Sequence, residues 1–186
     1  MNIKFGQKLI SRDRNYWITS DLHFGHNNVL KFCPDTRPWE TVEDMKEGLI
    51  EHWNSLVGSD DVVFDLGDMF FCNKEETREI LDRLNGHIVH LYGNHSKVLR
   101  NQFKVNSFDY LEVSLDKQHI VMNHYAQRVW NRSHYGSVHC FGHSHGSLEG
   151  LGRSCDVGWD AQGRLRLLKD VVEELKQKEI HKEDNH

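Results

Sequence analysis

Five short apolar runs of this chain each end in aspartate, asparagine or histidine, and few folds accommodate that recurrence. The runs are rich in β-branched and aromatic residues, as strands are, and a glycine often stands just before the polar ending. In α/β sheets, ligands bind at the carboxyl ends of strands, so we expect these polar side chains to converge on one site. They are Asp21, His23, Asp68, Asn94, His95, His124, His143 and His145.

The wider pattern predicts an α/β protein. Helical spacing of apolar residues covers 41–57, 73–86 and 170–180, and Thr41 with Asp44 forms an N-terminal capping pattern. The later strand candidates stand too close together for helices between them, so we expect mixed pairing and two sheets packed together. The strand candidates are residues 16–21, 61–68, 87–94, 108–115, 119–124, 138–143, 154–160 and 165–169.

Length and composition limit the class of protein further. The 186 residues suit a single domain over 1–170, followed by a polar helix or tail over 171–186. The net charge of −5 disfavours stable binding to nucleic acid, which usually needs a basic face. No apolar run is long enough to span a membrane, and the N-terminus is charged where a signal peptide is apolar, so we expect a cytoplasmic protein with four reduced cysteines.

The eight polar residues are individually ordinary, because an aspartate after a strand commonly caps a helix and an Asn-His pair commonly belongs to a turn. Together they offer carboxylate, amide and imidazole donors without a thiolate. Such a set suits Mn²⁺ first, with Fe, Zn²⁺, Ni²⁺ or Mg²⁺ as alternatives. Seven ligands exceed what one catalytic ion takes, which favours two divalent ions that share a bridging carboxylate. His95, next to Asn94, would then be free to donate a proton to a leaving group.

These motifs resemble, in order, those of the calcineurin-like metallophosphoesterases, across about residues 16–160 and with most likeness to a small, compact bacterial and phage-type branch. The resemblance implies a metallophosphoesterase domain built as a four-layer α/β/β/α sandwich, two mixed sheets flanked by helices, with a dinuclear centre. It implies that Asp68 bridges the ions and that His95 is the acid. It assigns one ion to Asp21, His23 and His145, and the other to Asn94, His124 and His143.

Some positions depart from that pattern or add to it. Ser96 stands where the family usually has an acid after Gly-Asn-His, so His95 is expected to be held differently. Asn94 is expected to face the substrate as well as the metal. His26 could touch the substrate, or it could simply bond the following turn. Arginines 37, 128, 132 and 153 could grip phosphate, although each alone is typical of a solvated surface, and Asp156 and Asp160 are expected to be structural.

The resulting prediction is a metal-dependent hydrolase of phosphodiesters of small nucleotides, cyclic ones included, with a metal-bridging hydroxide as the attacking group. The segment "GDMFF" lacks the arginine found in protein serine/threonine phosphatases, which disfavours phosphoprotein substrates. The alternatives are a nuclease, a phosphomonoesterase and a non-catalytic scaffold. The expected partner is a small phosphoester and not a membrane, and a homo-oligomer is compatible with the sequence.

Overall fold

Nine strands and six α-helices form the described part of the chain, residues 14–103 and 107–182 of a computed structural model. The strands are β1 (Tyr16–Thr19), β2 (Val62–Asp65), β3 (His87–Leu91), β4 (Ser107–Phe108), β5 (Leu111–Leu115), β6 (Gln118–Met122), β7 (Val138–Phe141), β8 (Ser154–Asp156) and β9 (Arg166–Leu167). The helices are α1 (Val29–Phe32), α2 (Val42–Leu56), α3 (Lys74–Arg83), α4 (Lys97–Gln102), α5 (Trp159–Gln162) and α6 (Leu168–Lys176).

The strands form two mixed sheets, which confirms the predicted α/β class and the mixed pairing. The first sheet has the order β4-β3-β2-β1-β9, and only β9 runs antiparallel to its neighbour. The second has the order β5-β6-β7-β8, with an antiparallel β5–β6 hairpin and parallel pairing elsewhere. Because β1, β2 and β3 are parallel, their carboxyl ends lie at the same edge of the first sheet.

Alternation along the strands places one set of apolar side chains between the two sheets. Ile18 and Phe64 from the first sheet share a buried cluster with Ile120 and Cys140 from the second. The opposite face of the first sheet, which includes Trp17, packs against α2 and α3. The apolar periodicity in the sequence therefore predicted the two helices correctly, to within three residues at each end.

A loop covers part of the outer face of the second sheet. His139 on β7 is fully buried, and its Nε2 atom accepts a hydrogen bond from the backbone N–H of Gln127 at 3.1 Å. The rings of His139 and Trp130 lie 5.3 Å apart. Loop residues and one turn of 3₁₀ helix, Ser133–Tyr135, thus lie where the resemblance led us to expect a helical layer.

Three strand predictions were wrong in part. The run 165–169 is a strand only through Leu167, because α6 begins at Leu168. The run 108–115 is not one strand, because Asp109 and Tyr110 carry the chain from β4 in the first sheet to β5 in the second. The run 154–160 is a strand only through Asp156 and then turns into α5. Periodicity alone does not reveal where a chain changes sheets or where a short strand gives way to a helix.

The last helix lies across the boundary predicted at residue 170. Val171, Val172 and Leu175 of α6 are buried in the core between the sheets, so this stretch belongs to the fold through its apolar face. Residues 1–13, 104–106 and 183–186, which include both ends of the predicted domain and tail, lie outside the described residues. Within the described ranges, no helix has both the length and the apolar character needed to cross a bilayer. All four cysteines are free thiols.

Candidate metal centre

The residues predicted to bind metal have unusual backbone conformations. Eight non-glycine residues of the described chain have positive φ, and five of them are predicted ligands. Such left-handed residues are strained unless their surroundings hold them, and they concentrate at functional sites. The five ligands with φ between 49° and 67° are Asp21, His23, Asp68, His143 and His145.

Two glycines allow the loops after β2 and β3 to approach each other closely. Gly67 has φ +114°, and a Cβ atom there would lie 2.6 Å from the Gly93 nitrogen and 2.8 Å from Nδ1 of His124. A Cβ atom at Gly93 would overlap Oδ1 of Asp68. The glycines before the polar residues in the sequence therefore serve close packing of backbone against the site.

One group of side chains that could hold a metal ion consists of Asp21, His23 and His145, whose candidate donor atoms all lie within 4.8 Å of one another. The Nε2 atoms of His23 and His145 lie 3.8 and 4.0 Å from Oδ1 of Asp21. Oδ1 of Asp21 and Nε2 of His23 are buried and have no hydrogen-bond partner in the described chain. Buried polar atoms are rarely left without a partner, and a cation between these atoms would satisfy both.

A second group consists of Asp21, Asp68 and His124. Nδ1 of His124 donates to the Leu66 carbonyl at 2.9 Å, so its Nε2 atom carries the lone pair when the ring is neutral. That Nε2 atom lies 3.4 Å from Oδ2 of Asp68 and 3.0 Å from the amide oxygen of Asn94. With a neutral ring, this nitrogen and the two oxygens are three acceptor atoms that face one another, an arrangement that again fits a cation; without a cation, a protonated ring would serve as the partner of the two oxygens.

Three of the histidines use their two ring nitrogens in the same way. In each, Nδ1 has a partner while Nε2 points towards an aspartate of the site. The Nδ1 partners are Nδ1 of His26 at 2.9 Å for His23, the Leu66 carbonyl at 2.9 Å for His124, and Oδ2 of Asp160 at 2.6 Å for His145. Metal-binding histidines typically have such a partner, which fixes the ring and its tautomer.

The charges in the centre oppose the effect of burial. Burial favours a raised pKa for Asp21, but the neighbouring His23 ring and the charge of His124 outweigh it, and the pKa is lowered. The pKa of Asp68 is lowered in the same way, against burial, by His124. The pKa of His145 is raised by its bond with Asp160. Carboxylates that stay ionised in a buried site are suitable ligands for a divalent cation.

His143 and His95 lie at the solvent-facing side of the centre. The backbone N–H of His143 donates to Oδ2 of Asp21 at 2.8 Å, and its ring centroid lies 5.1 Å from that of His124. His143 does not join either group of close donor atoms among the described residues. The backbone N–H of His95 donates to Oδ1 of Asp68 at 2.8 Å, and its exposed ring lies 4.6 Å from the ring of Phe71.

His26 lies against His23, as its position three residues later suggested. Its half-buried ring stacks on Phe71 with centroids 4.2 Å apart, in addition to the Nδ1 contact with His23. Burial lowers the pKa of His26 to about 4, so the ring is neutral near pH 7. A neutral His26 can accept a hydrogen bond from Nδ1 of His23 and leave Nε2 of His23 unprotonated.

Ser96, the departure from the family pattern, is buried beneath the site. Its hydroxyl accepts hydrogen bonds from the backbone N–H of Gly93 at 2.9 Å and of Asp68 at 3.3 Å. Ser96 therefore links the loop after β3 to the loop after β2. His95 itself is held through its own backbone N–H and through the contact of its ring with Phe71.

The sequence-based prediction for Arg37 was wrong. Arg37 is not a solvated surface residue, since its side chain is fully buried and forms a salt bridge with Asp160 at 2.8 Å. Asp160 was expected to be structural, and its carboxylate holds His145 beside the centre. The two residues are 123 positions apart, and nothing in the local pattern around either one indicates their contact. Arg153 contacts the end of α6 and the Gly136 carbonyl, away from the site.

Comparison with protein-family models finds no match. An uncharacterised protein of Methanocaldococcus jannaschii is 42% identical over 86 residues, which is 45% of this chain and 48% of that protein. The "Gene 66 protein" of Mycobacterium phage D29 is 38% identical over 87 residues, 47% of this chain and 39% of that protein. The chain thus spans less than half the length of the curated relatives it matches.

Among solved structures, a protein of unknown function from Aquifex aeolicus superposes with a TM-score of 0.67 and 18% identity, covering 86% of this chain and 98% of the other. This likeness shows that the fold occurs elsewhere. A predicted phosphoesterase from Streptococcus pneumoniae gives a TM-score of 0.41 at 16% identity, over 78% of this chain and 71% of the other. A likeness that low supports no argument about function.

Proposed function

We propose that this chain is a dinuclear metal-dependent phosphoesterase that hydrolyses phosphodiesters of small nucleotides. One observation carries the proposal: two adjacent groups of buried carboxylate and imidazole donors share Asp21, and two of their buried acceptor atoms have no hydrogen-bond partner in the described chain. The order of the motifs along the chain, and their resemblance to the calcineurin-like metallophosphoesterases, supply the reaction class.

We assign the ligands as the motif order implies. Asp68 would bridge the two ions, and Asp21, which belongs to both close groups, lies beside both positions. The oxygen and nitrogen donors favour Mn²⁺ first. Two such ions polarise a phosphoryl group and lower the pKa of bound water. The proposed ligands are Asp21, His23 and His145 for one ion, and Asn94, His124 and His143 for the other.

The remaining residues act on the substrate or hold the ligands. His95 would donate a proton to the leaving oxygen, because its ring is exposed beside the centre while its backbone is fixed on Asp68. Asn94 would contact the phosphate through the amide group that also faces His124. The contact of His26 with His23 supports a role in orienting that ligand, and its contact with substrate stays a prediction.

A nucleotide substrate is favoured by exposed aromatic side chains on two sides of the centre. Phe32 is 73% exposed, and its ring lies 6.3 Å from that of His26. Tyr125 is 46% exposed, with its ring 4.7 Å from that of His143. An exposed aromatic ring beside a phosphate site offers a surface on which a nucleobase can stack. The net charge of −5 favours a small ester over a polymer.

The proposal extends to the architecture. We infer that the described residues through the end of α6 form a four-layer sandwich, in which the loop and 3₁₀ turn outside the second sheet supply the fourth layer. A cytoplasmic location stays a prediction.

The first test compares hydrolysis of bis-p-nitrophenyl phosphate and p-nitrophenyl phosphate with added Mn²⁺ or with EDTA. We expect turnover that needs Mn²⁺ and favours the diester. Asp68→Asn should lose both metal and turnover, whereas Asp61→Asn, at the far end of β2, should keep both. The p-nitrophenyl ester of thymidine 5′-phosphate should react faster than methyl p-nitrophenyl phosphate, which has the same leaving group and no nucleoside.

Other outcomes would redirect the assignment. A preference for the monoester would make the protein a phosphomonoesterase. A salt-sensitive gel shift with DNA or RNA, followed by cleavage, would favour a nuclease. Bound metal without turnover of any ester would indicate a scaffold.

A further inference from the structure

Arg37 is a fully buried charged side chain near the centre, and it lies too deep for a substrate to reach. We propose that Arg37 and Asp160 are positioning residues that pre-form the metal site of Asp21, His23 and His145. This inference rests on the proposed function, because it concerns how tightly that site holds its ion. The contacts between the two residues and the proposed ligands carry it.

The guanidinium group of Arg37 donates both to the backbone after β1 and to the Asp160 carboxylate. Nη2 donates to the backbone carbonyl of Asp21 at 2.7 Å, and Nη1 donates to that of Leu22 at 3.0 Å. Nε and Nη2 donate to the two carboxylate oxygens of Asp160 at 2.9 and 2.8 Å. The planar fork therefore fixes the peptide unit of one proposed ligand and a carboxylate at once.

Asp160 passes that constraint to a second ligand. Its Oδ2 atom accepts a hydrogen bond from Nδ1 of His145 at 2.6 Å, and its Oδ1 atom accepts one from the hydroxyl of Thr36 at 2.5 Å. The bond at Nδ1 turns Nε2 of His145 towards Oδ1 of Asp21, 4.0 Å away. A carboxylate in this position also makes the imidazole a stronger donor to a metal.

Arg37 thus connects ligands that come from different sheets. Asp21 follows β1 in the first sheet and His145 follows β7 in the second, yet both are fixed relative to one guanidinium group. At the other metal position, the partner of His124 is a backbone carbonyl, and Asn94 and His143 are more open to solvent. We therefore expect the first position to bind its ion more tightly than the second.

The test is calorimetric titration of Mn²⁺ into the metal-free full-length protein and its variants. Wild type should bind two ions of unequal affinity. Asp160→Asn should weaken the tighter site about 10- to 100-fold and leave the weaker site within about twofold. Arg37→Lys keeps the charge but loses the fork, so it should change the same site in the same direction. Asp61→Asn removes another buried carboxylate, far from the centre, and should change neither affinity.

Two further measurements separate positioning from a general loss of structure. Thr36→Val removes only one hydroxyl donor to Asp160 and should weaken the tighter site less than Asp160→Asn does. With Co²⁺ in place of Mn²⁺, the visible absorption of the tighter site should change in Asp160→Asn and not in Asp61→Asn.

The outcomes distinguish this inference from the proposed function. Wild type that binds no Mn²⁺ would overturn both. Wild type that binds two ions, with the same affinities and Co²⁺ spectra in Asp160→Asn and Asp61→Asn, would overturn only the positioning role. Loss of the weaker site instead of the tighter one would also overturn it.

Discussion

In each of the three histidines with a fixed Nδ1 atom, that atom contacts a different kind of partner. The partner determines how basic the other ring nitrogen is. His145 donates to a carboxylate, His124 to a backbone carbonyl, and His23 lies against a neutral histidine. A carboxylate partner raises the basicity of an imidazole more than a carbonyl does. The three ligands should therefore differ in how strongly they donate to a metal, with His145 the strongest.

His95 gives a prediction at the same scale. His95→Ala should leave the Mn²⁺ content unchanged and slow hydrolysis by about 10²- to 10⁴-fold for esters with poor leaving groups, because these need a proton. Esters that release p-nitrophenolate should lose much less. The measurement is a series of diesters whose leaving groups differ in pKa, assayed with matched metal content.

His87→Ala is the matched control for that series. His87 is an exposed histidine at the amino end of β3, the strand whose carboxyl end leads to His95. The control should retain full activity with every ester. An equal loss across all leaving groups in His95→Ala would show that His95 is not the acid.

The residues that could be predicted from the sequence are those with a local signal. Asp68 and His124 each end an apolar run, so the local pattern alone indicates that a polar side chain stands at the end of a strand. Arg37 and Asp160 have no such signal, because the role of each depends on a partner 123 positions away. A buried arginine far from its carboxylate in sequence looks like any surface arginine.

Secondary-structure elements also divide into those with a local sequence signal and those without one. Helices α2 and α3 were predicted because their apolar spacing and their caps, Thr41 and Asn73, are local. The break at Asp109 and Tyr110 was missed, because the exchange of β4 for β5 is decided by which sheet has room for a strand. Element type was therefore easier to predict than the sheet an element would join.

The buried β7 histidine gives a prediction at the scale of elements. Burial lowers the pKa of His139 to about 4, so the ring is neutral in the fold, while the unfolded chain takes up a proton below its ordinary 6.5. The contribution of the neutral ring to stability is therefore fully present above pH 6.5 and is lost as the pH drops towards 4. From pH 7.5 to pH 5 this histidine alone should lower the free energy of unfolding by about 2 kcal/mol.

Urea denaturation at the two pH values would measure this loss. His139→Gln removes the titrating group and retains polar atoms for the Val121 carbonyl and the Gln127 amide that contact the ring. The free energy of unfolding of this variant should fall by about 2 kcal/mol less than that of wild type over the same pH range. Equal losses in both proteins would contradict the assignment to His139.

At the scale of the whole molecule, the proposed ligands come from both sheets. Asp21, Asp68 and Asn94 follow strands of the first sheet, and His124 and His145 follow strands of the second. An ion held by both sets would join the sheets at the carboxyl ends of these strands and would bind only the folded chain. Binding to the native state alone stabilises it by mass action.

Thermal denaturation tests that consequence. At a Mn²⁺ concentration about 100 times the dissociation constant of the tighter site, the ion at that site alone should raise the free energy of unfolding by about 2.7 kcal/mol. For a chain of this size the melting temperature should then be about 5 to 10 °C higher than in EDTA. Asp68→Asn should show no such rise, and equal melting temperatures for wild type in both conditions would contradict metal binding across the sheets.

The left-handed conformations of five proposed ligands make the site costly to keep. At such a position glycine is relaxed, whereas aspartate and histidine hold their side chains there at the expense of backbone strain. A descendant of this chain that was no longer selected for the proposed activity could replace these residues with glycine. It would then gain stability as it lost the metal site. Persistence of aspartate and histidine at these five places in any lineage would then record selection for what the site does, against the preference of the fold.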